Sequence, residues 1–104
     1  MAKLILSLDG LAIKEIQIDK DKLSLGRRPH NDIHIDNLAV SGEHAAITRH
    51  GTEITLEDLG STNGTVVNGI AVQRHVLKMN DLVTIGKYTL KFIADDDGDQ
   101  FEKT

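Results

Sequence analysis

Apolar and polar residues alternate along most of this chain, which is the pattern of strands that bury one face. Leu4, Leu6 and Leu8 share a face before a turn at Asp9-Gly10, and later segments repeat the same period of two. These later segments contain Leu23 and Leu25, Ile33 and Ile35, Ala45 and Ile47, Ile54 and Leu56, Val83 and Ile85, and Tyr88, Leu90 and Phe92. No segment keeps a helical period over three turns, so the pattern predicts an all-β protein.

The segment after the first turn changes phase. Leu11 and Ile13 share one face of a strand, whereas Ile16 and Ile18 fall on the opposite face. A change of phase near residues 14–15 predicts a β-bulge or a strand that changes faces.

About ten or eleven short strands separated by turns predict a β-sandwich of about eleven mostly antiparallel strands. Residues 73–81 are the least strand-like part of the chain, and a closed barrel is the alternative architecture. The apolar positions hold mostly Leu, Ile and Val, and aromatic residues make up 3% of the chain. The core is therefore predicted to be aliphatic, without an aromatic cage for a ligand.

The charge of the chain is unevenly distributed. A length of 104 residues suits one domain with its own core. The net charge is −4, and residues 95–104 account for all of it, since they hold five acidic residues and one lysine. We therefore predict a neutral domain at residues 1–94 and an acidic tail or the start of a linker at residues 95–104. A neutral domain is not expected to bind nucleic acid, which needs a basic surface.

Composition also excludes some kinds of site and location. The chain has no Cys, so it can form neither a disulfide nor a thiolate metal site, and we expect no metal or cofactor. No apolar run approaches the roughly 20 residues of a membrane span. The N-terminus becomes charged too early for a signal peptide. We expect a cytoplasmic protein that does not bind a membrane.

Three polar segments are not explained by the strand pattern, and they are the candidates for a binding site. They are the arginine loop (residues 26–31), the serine loop (residues 37–44) and the central segment (residues 60–69). If residues 33–35 crossed the sheet, the first two loops would lie at opposite ends. Pro29 could instead let the chain cross over, so the strand pattern leaves their arrangement open.

The central segment, Gly-Ser-Thr-Asn-Gly-Thr-Val-Val-Asn-Gly, combines turn signals with polar donors. Asn63-Gly64 and Asn68-Gly69 are strong signals for tight turns, because Asn and Gly tolerate positive φ. Ser61 and Thr62 add hydroxyl groups, and a glycine-rich loop exposes backbone N–H groups. This chemistry is typical of a site for an anion or a peptide backbone, and equally of an ordinary hairpin loop.

Five motifs in order resemble those of a forkhead-associated (FHA) domain, and the short bacterial members look most similar. The resemblance runs from about Leu23 to Phe92. The motifs are Gly-Arg at 26–27, Asn-Asp-Ile-X-Ile at 31–35, Val-Ser-X-X-His-Ala at 40–45, Leu-Glu-Asp-Leu-Gly-Ser-Thr-Asn-Gly-Thr-X-Val-Asn-Gly at 56–69, and Leu-X-X-X-Asp-X-Val-X-Ile-Gly at 77–86. Any one of them alone would be a weak signal, whereas all five in this order are highly specific.

The resemblance implies a sandwich with a phosphothreonine-peptide site built from loops at one end. In the family pattern, Arg27 binds the phosphate, the Ser41 hydroxyl hydrogen-bonds it and Thr62 adds a further contact. Asn63 matches the asparagine that holds the backbone of the bound peptide. These residue types suit the ligand, because a phosphothreonine carries about −1.5 to −2 charge and strong acceptor oxygens. A guanidinium offers it a planar donor fork that stays charged.

Other positions match residues that shape the site. His44 resembles the histidine that braces the loops, and Gly26 and the Asn68-Gly69 turn match positions that set the backbone of the site. Arg28 is a candidate for the rim. Gly42 departs from the family pattern, since many relatives carry a longer polar side chain there that assists the phosphate.

The resemblance thus implies a monomeric, phosphothreonine-dependent binding module that acts downstream of a Ser/Thr kinase and has no catalytic activity. A phosphate-independent interaction module on the same fold is the alternative. An enzyme built from Ser41, His44 and Asp58 is disfavoured, because the chain has neither a nucleophile elbow nor the Lys of a P-loop. The other histidines are expected at the surface: His30, His34, His50 and His75.

Overall fold

The computed structural model describes residues 2–94, which form eleven strands. The strands are β1 (Ala2–Leu8), β2 (Leu11–Gln17), β3 (Lys22–Gly26), β4 (Ile33–His34), β5 (Ala45–His50), β6 (Glu53–Asp58), β7 (Val66–Val67), β8 (Ile70–Ala71), β9 (Arg74–Val76), β10 (Leu82–Ile85) and β11 (Tyr88–Ala94). The predicted acidic tail at residues 95–104 lies outside the described residues. The part of the chain that is described contains no helix long and apolar enough to cross a membrane.

The strands form two sheets, and the prediction of a mostly antiparallel sandwich is confirmed. One sheet has the order β2-β1-β11-β10-β7-β8, and the other has the order β4-β3-β5-β6-β9. Every described pairing is antiparallel except that of β3 with β4, which is parallel. Two separate sheets of this kind are a sandwich and not the closed barrel that was the alternative.

The core lies between the two sheets and is mainly aliphatic, as predicted. Leu4 and Leu90 from the first sheet and Leu25 and Leu56 from the second are each only 1% exposed. They belong to one continuous cluster of buried residues. Burial of this apolar surface is the main favourable contribution to folding.

The predicted bulge is confirmed, and it explains an unexpected exposure of apolar residues. In the pairing of β1 with β2, Leu6 faces Lys14 while the next residue of β1, Ser7, faces Ala12, so Ile13 is the extra residue. Only the second half of β2 contributes to the core, and Leu11 and Ile13 are 70% and 52% exposed. Because β2 is an edge strand, its first half is not covered by the opposite sheet.

Two short strands differ from the sequence expectations. Strand β9 lies within residues 73–81, the part expected to be least strand-like. The sequence did not indicate it because β9 is an edge strand with no fully buried residue. Strand β4 does not cross the sheet. It pairs with the end of β3 through Leu25–Ile33 and Gly26–His34.

The parallel pairing of β4 determines where the polar loops lie. After the last residue of β3 the chain turns through the arginine loop and then forms β4, which runs parallel to the last residues of β3. Strands β3 and β4 therefore end at the same end of the sandwich, and the serine loop begins there. Strand β5 begins and β6 ends beside it, since the two strands are antiparallel and Ala45 faces Asp58. All three polar segments therefore start at one end of the sandwich, called here the site end.

A pair of leucine substitutions tests this division between core and surface. We expect Leu90→Ala to lower the free energy of unfolding by about 2–5 kcal/mol, because it leaves a cavity in the core. Leu11→Ala should change it by no more than about 0.5 kcal/mol, as is usual at exposed positions. Urea denaturation measures both values, and equal losses would contradict the placement of Leu11 outside the core.

Candidate functional site

The arginine and serine loops are joined by backbone hydrogen bonds. The N–H groups of Arg27 and Arg28 donate to the carbonyl oxygens of Ser41 and Gly42, at 2.9 and 3.3 Å. A Cβ atom on Gly26 would lie 2.2 Å from the carbonyl oxygen of Gly42. Only glycine permits this close approach, and the structure therefore gives Gly26 a physical reason for its place in the predicted site.

Ser41, Thr62 and Asn63 are brought together at the site end. The Ser41 Oγ atom accepts a hydrogen bond from the backbone N–H of Thr62 at 3.0 Å, which leaves the hydroxyl hydrogen free to donate. Asn63 Nδ2 donates to the carbonyl oxygen of Ala39 at 2.9 Å. The Asn63 side chain is exposed, and its Oδ1 atom accepts no hydrogen bond from residues 2–94. The Ser41 hydroxyl and the Asn63 amide thus keep unused hydrogen-bonding atoms at one rim, beside the backbone of Thr62.

The buried imidazole of His44 links the serine loop to the central segment. His44 is 0% exposed. Its Nδ1 atom accepts from the N–H of Ser41 at 3.1 Å, so Nε2 carries the proton and donates to the carbonyl oxygen of Gly64 at 2.9 Å. The backbone of His44 also bonds to Leu25 and Leu59. These contacts are those of a residue that braces loops.

Asp58 organises the start of the central segment. Its carboxylate accepts hydrogen bonds from the N–H groups of Gly60 and Ser61 and from the hydroxyls of Ser61 and Thr65. Burial alone would raise the pKa of Asp58, but these hydrogen bonds outweigh it and hold the pKa below its ordinary value of 3.8. The carboxylate is therefore an internal anchor for the loop.

The two arginines of the arginine loop bring positive charge to the site end. Both side chains are exposed, and neither makes an ion pair with a carboxylate of residues 2–94. The backbone of Arg27 bonds directly to Ser41, the residue whose hydroxyl is available to donate. Arg27 is thus adjacent to the cluster that it was predicted to join.

Asn68 and Gly69 lie away from this cluster, at the opposite end of β7. Both have positive φ, 51° and 83°, as the Asn-Gly turn signal predicted, whereas in Asn63-Gly64 only the glycine does. Asn68 donates to Asp81 and accepts from the N–H of Leu82, each at 2.9 Å. Within residues 2–94, this turn forms hydrogen bonds with Asp81 and Leu82 and with none of Ser41, Thr62 and Asn63.

Two polar residues with structural roles at or near the loops were not singled out from the sequence. Asn31 is 6% exposed, and its Nδ2 atom donates to the carbonyl oxygens of Arg28 and Gly42. Its place in the Asn-Asp-Ile motif is the signal that could have pointed to it. The Oδ1 atom of Asn31 is buried and accepts no hydrogen bond from residues 2–94.

The second is Asp81. Burial raises the pKa of its carboxyl. Hydrogen bonds from His75, Lys78 and Asn68 lower the pKa by more than burial raises it, so the pKa lies below 3.8. His75 was expected at the surface and is instead half-buried, with Nε2 at 2.9 Å from Asp81. No periodic pattern in the sequence indicates such a contact.

The geometry does not assemble a hydrolytic triad. Both ring nitrogens of His44 are bonded to backbone groups, and the Asp58 carboxylate bonds to the central segment. His44 is thus placed to orient the backbone of Ser41 and not to remove a proton from its hydroxyl. Within residues 2–94, no three His, Asp or Glu side chains are grouped as metal ligands.

Replacing His44 tests its role in bracing the loops. We expect His44→Ala to lower the free energy of unfolding by about 1–3 kcal/mol, because it leaves the partly buried Ser41 N–H and Gly64 carbonyl without their partner on His44. Urea denaturation gives the value. His50→Ala is the control and should unfold like the wild type, because His50 is exposed in the β5–β6 hairpin, which lies opposite to the site end. An unchanged His44→Ala variant would contradict the bracing role.

The depressed pKa of Asp58 predicts a pH dependence of stability. A carboxyl whose pKa is lower in the folded state contributes stability above its unfolded value, here 3.8, and that contribution is lost as pH falls through the folded value. Wild type should therefore melt at a higher temperature than Asp58→Asn at pH 7, and the difference should shrink below pH 3.8. Thermal melts of both proteins across this range are the measurement. A difference that does not change with pH would refute the prediction.

Comparison with known proteins identifies relatives that match most of the chain. The glycogen accumulation regulator GarA of Mycolicibacterium smegmatis is 41% identical over 85 residues, covering 78% of this chain and 54% of that protein. The oxoglutarate dehydrogenase inhibitor of Corynebacterium jeikeium is 38% identical over 76 residues, covering 73% and 53%. The chain thus spans about half the length of these relatives.

Solved structures share the fold. The FHA domain of the CT664 protein from Chlamydia trachomatis superposes with a TM-score of 0.83 at 24% identity, covering 91% of this chain and 98% of that one. Mycobacterium tuberculosis EmbR in complex with a low-affinity phosphopeptide has a TM-score of 0.81 at 28% identity, covering 88% of this chain and 24% of that one.

The family comparison agrees with the motifs. The sequence model of the FHA domain family matches residues 23–86, which is more than half of the chain. The match includes all three polar segments and the residues that join them. This chain belongs to the FHA domain family.

Proposed function

We propose that this protein binds phosphothreonine-containing peptides or proteins and thereby reads a mark left by a Ser/Thr kinase, without catalysing a reaction. The observation that carries the proposal is the Ser41 hydroxyl. It is fixed as an acceptor by the N–H of Thr62, so its own hydrogen remains available for an incoming acceptor. The exposed guanidinium of Arg27 belongs to the residue whose backbone bonds to Ser41.

A phosphate group suits these donors better than a neutral ligand does. A phosphothreonine carries about −1.5 to −2 charge at neutral pH, and charge-assisted hydrogen bonds are roughly twice as strong as neutral ones. The hydroxyls of Ser41 and Thr62 can donate without adding charge. Arg27 supplies a fixed positive charge that no carboxylate of residues 2–94 neutralises.

The rest of the ligand would be an extended peptide held along the rim. Asn63 is exposed next to the serine loop, and its amide can both donate to and accept from a peptide backbone. A cavity of about 390 Å³ lies at the opposite end of the sandwich, where Ile18, Leu77 and Phe92 line it. The site end instead presents the exposed side chain of Asn63 at its rim. Such a rim suits an extended peptide better than a small molecule enclosed in a pocket.

The relatives suggest the kind of partner. One is named a glycogen accumulation regulator and another an oxoglutarate dehydrogenase inhibitor, and EmbR has been captured with a phosphopeptide. A phosphorylated regulatory segment, or an enzyme of central metabolism bound through such a segment, is therefore the partner class that we propose. We further propose that the protein acts as a monomer in the cytoplasm, where its kinase would be found.

Replacing Arg27 tests the proposal. We expect Arg27→Ala to weaken binding of a phosphothreonine peptide by about 10- to 100-fold, the loss of a hydrogen bond to a charged group. The melting temperature should stay close to that of the wild type, because the Arg27 side chain is exposed. Fluorescence anisotropy with the tightest peptide from a phosphothreonine library measures binding, and a thermal melt measures stability.

The controls separate phosphate recognition from general binding. Arg74→Ala, at an exposed arginine of β9, should bind like the wild type. The unphosphorylated twin of the peptide should bind far more weakly than the phosphorylated form, and the phosphoserine version tests whether the threonine methyl group matters. Equal binding of the phosphorylated and unphosphorylated peptides would replace the proposal with the phosphate-independent alternative. A collapsed melt of Arg27→Ala would instead show that the residue is structural.

A further inference from the structure

The side chain of Arg28 lies across Gly42, the residue directly after Ser41. A Cβ atom at position 42 would be 2.8 Å from Nε of Arg28, 3.3 Å from Cγ and 3.4 Å from Cδ. The first of these distances is too short for a real contact between side chains. Arg28 therefore occupies the space that a side chain at position 42 would need, and the glycine leaves that space open.

Partly buried hydrogen bonds hold the backbone of Arg28 in this place. Its N–H donates to the carbonyl oxygen of Gly42 at 3.3 Å. Asn31 Nδ2 donates both to the carbonyl oxygen of Arg28, at 2.9 Å, and to that of Gly42, at 2.8 Å. Because Asn31 is 6% exposed, water competes little for these bonds. The stem of Arg28 is thus kept against the serine loop.

The charge of Arg28 is not used by the protein itself. Two carboxylates of the surrounding segments have other partners: Glu43, which follows Gly42, is 3.0 Å from His30, and Asp32 pairs with Lys20. Arg28 makes no ion pair with any carboxylate of residues 2–94. A free guanidinium is therefore held one residue away from the hydroxyl that is available for phosphate.

We propose that Arg28, seated on Gly42, is a second cationic contact for the phosphate group, and that the absence of a side chain at position 42 makes this contact possible. This inference rests on the proposed function, since the ligand is the same phosphorylated threonine. Arg27 and Arg28 are consecutive residues of like charge, and a dianion that contacts both guanidinium groups offsets any repulsion between them. Arg28 and Gly42 then act as one coupled unit of the site.

The coupling can be tested because Gly42 does not have a positive φ, so alanine fits its backbone. We expect Arg28→Ala to weaken binding of the selected phosphothreonine peptide by about tenfold, as the loss of an exposed charge-assisted bond. Gly42→Ala should weaken it to a similar extent, because the new methyl group displaces the arginine. The double variant should bind no more weakly than either single variant, since both changes remove the same contact.

A third substitution distinguishes the charge of Arg28 from the packing of its stem. Arg28→Gln keeps much of the stem on Gly42 but removes the charge, and it should bind as weakly as Arg28→Ala. Its affinity should also fall less with added salt than that of the wild type, because exposed charges are screened by ions. Binding of the unphosphorylated twin should be the same for all these variants. Melting temperatures near that of the wild type confirm that each variant is folded.

The outcomes separate this inference from the proposed function. If the wild type prefers the phosphorylated peptide and Arg28→Ala binds it equally well, the second contact is refuted while the function stands. If Gly42→Ala has no effect, or if the two single effects add in the double variant, the coupling between the two residues is refuted. If the wild type does not distinguish the phosphorylated peptide from its twin, both proposals fail together.

Discussion

The imidazole of His44 is the contact on which the arrangement of the site depends. It joins the N–H of Ser41 to the carbonyl oxygen of Gly64, which follows His44 by 20 residues. Loops usually run over the surface and are more mobile than the strands they connect. A fully buried ring opposes that mobility here, because the loss of either bond would leave a buried polar group unpaired. The hydroxyl of Ser41 is therefore already in place before a ligand arrives.

The carboxylates of Asp58 and Asp81 hold turns of the protein itself. Asp58 accepts four hydrogen bonds from the central segment, and Asp81 accepts bonds from the elements around it. Both have a lowered pKa, so both stay negative at neutral pH. Their charge is balanced by donors from the turns they hold, while the arginines of the neighbouring loop have no such partner. A domain that is neutral as a whole can thus present local positive charge.

Periodicity was sufficient to predict the sandwich, because a strand of period two has one register in which its apolar face is buried. It failed where very few residues decide the structure. The meeting of the loops depends on the parallel pairing of β4 with β3, which involves only two residue pairs, so the order of motifs predicted it and the strand pattern did not. The bonds from Asn31 to Arg28 and Gly42 arise from the packing of single side chains, which leaves no repeating signal in a sequence.

Two features of the site end carry a local energetic cost. Arg27 and Arg28 are adjacent like charges, although water and salt keep the repulsion between exposed groups small. Asn31 holds the second arginine in place while one of its own oxygens is buried and has no hydrogen-bond partner in the described part of the chain. The sandwich core can maintain such local strain because the loops that carry it are fastened to strands β3, β5 and β6. An anion that binds only the folded domain stabilises it in turn. Because its contacts are already in position, little of the binding free energy is lost to ordering the loops.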